Sequence, residues 1–115
     1  MTWRFLAFAA IACSAAPAFG HAFLNHADPG AGATLRSAPP RVVLVFSEKL
    51  EGAFSGVAVV DAAGRSVEAG LAVTRGNSMA VALRPLTPGK YRVMWHAVSV
   101  DTHRTEGAYS FAVKP

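Results

Sequence analysis

The chain has a single cysteine, Cys13, in 115 residues. That excludes an internal disulfide framework and any zinc site built from clustered thiolates. Charge is also scarce, at 16% of positions against about 25% in an ordinary soluble domain. The net charge of +4 comes from scattered Lys and Arg. No basic run points to nucleic acid, and no basic amphipathic helix points to a membrane surface. Glycine-rich phosphate loops are missing. Long apolar runs are missing too. Residues 5–16 are apolar apart from Ser14, which is too short to span a bilayer permanently. With 52% hydrophobic residues, the sequence is a folding one rather than a disordered one. Its length fits one domain.

The first twenty residues have the layout of a secretory signal peptide. Arg4 gives a charged start, residues 5–16 an apolar middle, and Ala18 and Gly20 small residues before a cut at Gly20/His21. A cut after Ala18 and lipidation at Cys13 are the rivals. The first cut leaves a domain of residues 21–115, without cysteine and with all four histidines: His21, His26, His96 and His103. Such an exported domain relies on its core alone.

The hydrophobic pattern is that of an all-β fold. No mature segment sustains an apolar stripe at helical spacing. Strands are expected at 22–25, 41–46, 56–61, 66–74, 79–83, 90–100 and 108–113, separated by turn signals. In 90–100, Tyr91, Val93, Trp95 and Ala97 share one face, and Arg92, Met94, His96 and Val98 the other. About seven short strands read as a sandwich or small barrel.

Chemistry concentrates at two places. His21 becomes residue one if the cut follows Gly20, and its α-amine and Nδ1 can then chelate one metal. Asp101-Thr102-His103 is an i, i+2 pair. In extended chain it would send both side chains to one face, roughly 6.5–7 Å apart. Three nitrogens and one oxygen suit tetragonal Cu(II); Cu(I) wants softer sulfur ligands. An isolated Asp-x-His is also common as a plain hydrogen-bonded loop. Ser99, Asp101 and His103 alternate along one predicted strand face and so make no catalytic triad.

Residues 21–113 resemble, block by block and in order, the CopC-type periplasmic copper-resistance proteins. The resemblance is carried by His21-Ala22-Phe23-Leu24 with Asp28-Pro29-Gly30, by Val45-Phe46-Ser47-Glu48-Lys49-Leu50, by Leu86 to Trp95, and by Ser99-x-Asp101-x-His103 followed by Gly107 and Phe111. It implies a Greek-key β-sandwich or barrel of immunoglobulin or cupredoxin type that binds Cu(II) in the periplasm. The implied ligands are His21 through its amine and Nδ1, Asp101 and His103. Glu48 falls on the family's Phe-Ser-Glu acid as a near-site or weak axial partner; the alternative is a solvated loop residue beside Lys49. The implied partner is an inner-membrane copper transport protein of CopD type.

Some members carry a Met-rich segment for Cu(I). Here the mature chain has only Met79 and Met94, both expected as core filler. The expectation is therefore a single Cu(II) site. His26, near a turn, is a minor candidate ligand; His96 is expected at the surface or packed. The expected function is that of a non-enzymatic copper carrier or buffer. Two others compete. A copper monooxygenase with an N-terminal histidine brace would need the equatorial position that Asp101 fills. A structural β-sandwich would bind no Cu(II) tightly.

Overall fold

The computed structural model describes residues 23–115. The expected leader, its cleavage point, Cys13 and His21 lie outside the described residues.

Eight strands form two four-stranded sheets. They are β1 (Leu24–Asp28), β2 (Thr34–Leu35), β3 (Arg41–Phe46), β4 (Gly56–Asp61), β5 (Val73–Arg75), β6 (Ser78–Ala82), β7 (Gly89–Val98) and β8 (Arg104–Val113). One sheet has the order β1-β3-β6-β5 and the other β2-β8-β7-β4. A 3-10 turn, Gly52–Phe54, joins β3 to β4 across the two sheets. The result is the expected all-β sandwich.

The core forms where the inward phases of the two sheets meet. Val42, Leu44 and Phe46 of β3 and Met79 and Val81 of β6 face Val59 of β4, Tyr91, Val93, Trp95 and Ala97 of β7, and Tyr109, Phe111 and Val113 of β8. Each of these alternates with less buried neighbours, as period-2 side-chain direction requires. Trp95 sits edge-on to Phe46 with ring centroids 6.3 Å apart, and lies 6.5 Å from Tyr109. Its ring covers Gly107 on the paired strand. A Cβ there would come within 2.3 Å of the indole, so only glycine fits. The Tyr109 hydroxyl donates to the Pro29 carbonyl at 2.7 Å. Burial, and then the charge of Asp28, raise the pKa of that phenol.

β8 starts at Arg104 rather than at the expected 108, and two further strands and one side chain differ from expectation. β2 pairs parallel with β8 through two residues, Thr34 and Leu35, too few to show a period. The expected strand 66–74 shrinks to β5. Its first half instead crosses between the sheets: Val67 N–H donates to Val59 of one sheet and Ala69 N–H to Ala82 of the other. Met79 is fully buried as expected, but Met94 is half-buried on the outer face of β7. It follows the strand's alternation rather than its own hydrophobicity.

Candidate metal site

β7 and β8 are adjacent antiparallel strands in register from Gly89↔Val113 to Val98↔Arg104. The link between them is residues 99–103. Here the structure corrects the extended geometry expected for Asp101-Thr102-His103. Ser99 N–H donates to the His103 carbonyl at 2.8 Å and Thr102 N–H to the Ser99 carbonyl at 2.9 Å, which closes a tight loop. Thr102 takes φ 73°, a conformation rare for a β-branched residue. The turn, rather than strand alternation, brings the two side chains together. Asp101 Oδ1 lies 3.3 Å from His103 Nδ1.

Glu48 reaches the same place from the β3 side. The segment after β3 is stitched to the loop by backbone bonds: Val100 N–H to Lys49 at 3.0 Å, Glu51 N–H to Val98 at 2.8 Å, and a bridge between Leu50 and Ser99. Glu48 Oε1 consequently sits 3.9 Å from His103 Nδ1. One donor atom from each of Glu48, Asp101 and His103 lies within 4.8 Å of the others. Among the described residues this is the one such cluster of three. His26, exposed on β1, and His96, exposed on the outer face of β7, are not part of it.

The electrostatics favour a cation. Two carboxylates flank an imidazole whose side chain is 74% exposed, so an ion can approach from solvent. Glu48 Oε1 is itself buried without a hydrogen bond, an oxygen with unused accepting capacity. The Ser99 hydroxyl, bonded to Asp101, is the main cause that holds the Asp101 carboxyl below its usual range; burial opposes it, and His103 adds to it. Asp101, ionised at neutral pH as any ordinary carboxyl is, therefore stays an anion further into acid. The donor set of two oxygens and one nitrogen fits a borderline divalent cation and offers no sulfur.

Beyond the expected ligands, Ser99 enters the site. The sequence carried a signal for it: position 99 continues the inward phase Tyr91, Val93, Trp95, Ala97, yet holds a polar residue. The start of β1 is adjacent as well. Ser47 N–H donates to the Phe23 carbonyl at 3.0 Å, which sets the first described residue one position from Glu48.

The CopC domain family matches residues 24–114, which include Glu48, Asp101 and His103. The chain belongs to the CopC family. Copper resistance protein C of Xanthomonas campestris pv. juglandis is 36% identical over 114 residues, covering 91% of this chain and 89% of that one. The copper transport protein CutJ of Bacillus subtilis is 31% identical over 99 residues, which span 83% of this chain but 18% of CutJ. Among solved structures, PcoC, a methionine-rich copper resistance protein from Escherichia coli, superposes with a TM-score of 0.71 at 37% identity, covering 80% of this chain and 97% of PcoC. This CopC-family chain thus sits among copper resistance and transport proteins, and its sandwich is that of PcoC.

Proposed function

We propose that the protein is exported to the periplasm and binds one Cu(II) ion there as a carrier or buffer. The carrying observation is the convergence of Glu48, Asp101 and His103 beside the start of β1. Phe23 is bonded to Ser47, next to Glu48, and a His21 freed by cleavage after Gly20 lies two residues further along the chain, about 7 Å when extended; in this reading it adds its amine and Nδ1. In this reading His21, Asp101 and His103 supply the equatorial donors, three nitrogens and one oxygen. Glu48 stands by as a weak further oxygen.

The oxidation state follows from donor chemistry. This chain has three methionines, and of the two outside the leader Met79 is fully buried in the core. Thioether ligands for Cu(I) are therefore sparse here, while PcoC is described as methionine-rich. Asp101 bound to the ion would occupy a place that a copper oxygenase keeps open for oxygen, and the named relatives are copper resistance and transport proteins, so the reading is a binding role rather than catalysis. The partner we infer is a membrane copper transport protein of CopD type. Support comes from CutJ, where a segment like this chain is one part of a larger copper transport protein.

The test is a competition titration of Cu(II) against protein beginning at His21 and protein retaining Gly20. A large loss of affinity with Gly20 is the expected result, because the amine of His21 is then an amide. Equal tight binding by both forms moves the site away from His21, and weak binding by both leaves a structural β-sandwich.

A further inference from the structure

Apart from the aromatic Tyr91, Trp95 and Tyr109, Ser99 is the one buried residue with a polar or charged side chain among the described residues, 1% exposed. A buried hydroxyl must be hydrogen-bonded to offset its desolvation. All of the bonds made by this one go to the ligand loop, including a long contact of 3.5 Å to the His103 carbonyl. Its Oγ donates to Asp101 Oδ1 and accepts the His103 backbone N–H at 3.1 Å. The Asp101 carboxylate and the His103 backbone are thus tied to one point, and that point is anchored in the sandwich. The anchoring is mechanical: Ser99 N–H bonds His103 O, Ser99 bridges Leu50, and residue 99 ends the inward phase of β7. The loop so held includes Thr102 in the left-handed region, a conformation that costs energy and persists only when its surroundings enforce it.

We propose that Ser99 is a positioning residue of the copper site, its hydroxyl fixing the Asp101 carboxylate and the His103 loop in the geometry that Cu(II) requires before the ion arrives. The inference rests on the Cu(II) reading above. Ser99 touches no ion; it acts through Asp101 and His103, as hydrogen-bonded outer partners of metal ligands do. The alternative role is a filler that seals the end of the core, for which an alanine of similar size would serve as well.

The experiment compares wild type, Ser99→Ala, Ser99→Thr and His103→Ala, all beginning at His21, by Cu(II) competition titration and by the electron paramagnetic resonance spectrum of the Cu(II) form. Ser99→Ala keeps every backbone-to-backbone bond of the loop and so should fold. Its expected affinity is about 10–100-fold below wild type, with a changed copper hyperfine splitting as Asp101 loosens. Ser99→Thr, which retains the hydroxyl, should restore both. Wild-type affinity and spectrum in Ser99→Ala overturn the proposal. So does a folded Ser99→Thr that loses affinity as Ser99→Ala does, and that comparison with wild type stands even if Ser99→Ala does not fold. Failure of the underlying reading looks different: wild type then binds no Cu(II) tightly, or His103→Ala binds as wild type does.

Discussion

His96 and His103 sit on the same β7–β8 hairpin, and only His103 meets other donors. His96 lies in the paired part of β7, directly opposite Gly56 on one side and Glu106 on the other. Its ring rests over Gly56, where a Cβ would come within 2.9 Å of Cε1. Although Glu106 stands across from it, both close imidazole–carboxylate contacts found among the described residues belong to His103. Ladder pairing holds side chains in parallel, each pointing away from the sheet, so neighbours stand side by side without converging. The loop reverses the chain instead, and Asp101 and His103 turn toward each other and toward Glu48. A metal centre needs convergence, which here comes from the end of a hairpin and not from its face.

The sharpest way to break this comparison is to remove each histidine in turn. His103→Ala should abolish tight Cu(II) binding, exceeding the roughly 100-fold loss typical of an outer partner. His96→Ala should leave affinity unchanged. Competition titration of the two variants decides it, and the reverse order would move the site to the sheet face.

A second contrast sets the exposed loop against the buried middle of the same hairpin. Trp95 is 3% exposed and packs on Phe46, Tyr109 and Gly107. Trp95→Ala should unfold the domain or cost it about 3–5 kcal/mol. His103→Ala should change the stability of the metal-free protein by no more than about 0.5 kcal/mol. Urea unfolding without copper measures both. A large destabilisation by His103→Ala would make the loop a structural element first.

How much of this was legible in the sequence depended on whether a feature lay in periodic chain. The alternation from Tyr91 to Ala97 and the run 41–46 announce strands because side-chain direction in a strand has a period of two. Asp101 and His103 were readable as candidate ligands from their chemistry and from the family pattern. Their geometry was not, since nothing in Asp-Thr-His reveals that Thr102 adopts a positive φ. The position of Glu48 depends on backbone bonds between segments some fifty residues apart in sequence, which no local pattern encodes. β2 escaped for the same reason, being defined by its partner and not by its own two residues.

Glu48 offers a finer probe of the convergence. Its Oε1 is the more distant of the two carboxylate contacts of His103, 3.9 Å against 3.3 Å. Glu48→Gln should therefore weaken Cu(II) binding by about tenfold, the lower end of the range for outer partners, and well short of the His103→Ala loss. A loss as large as that of His103→Ala would place Glu48 among the principal ligands. No loss at all would make it a solvated loop residue.

The smallest effect is a slope that should not change. Cu(II) affinity falls with pH because protons compete for the donors, most of all for the nitrogens. Asp101 is different: a carboxyl at the ordinary value of 3.8 is already ionised in the neutral range, and the Ser99 hydroxyl, with smaller help from His103, holds this one lower still. A carboxylate with a lowered pKa stays ionised as pH falls until that lower value is reached. Between pH 7 and pH 5 Asp101 should therefore lend affinity to the proposed site without taking up a proton. Asp101→Asn should lower the Cu(II) affinity at every pH in this window and leave the slope of log affinity against pH as it is in wild type. If the variant's slope falls by close to one proton, Asp101 titrates within the window and Ser99 does not hold it as an anion. If the slopes agree, the pH response of the site belongs to its nitrogens, and the loop contributes a fixed negative charge.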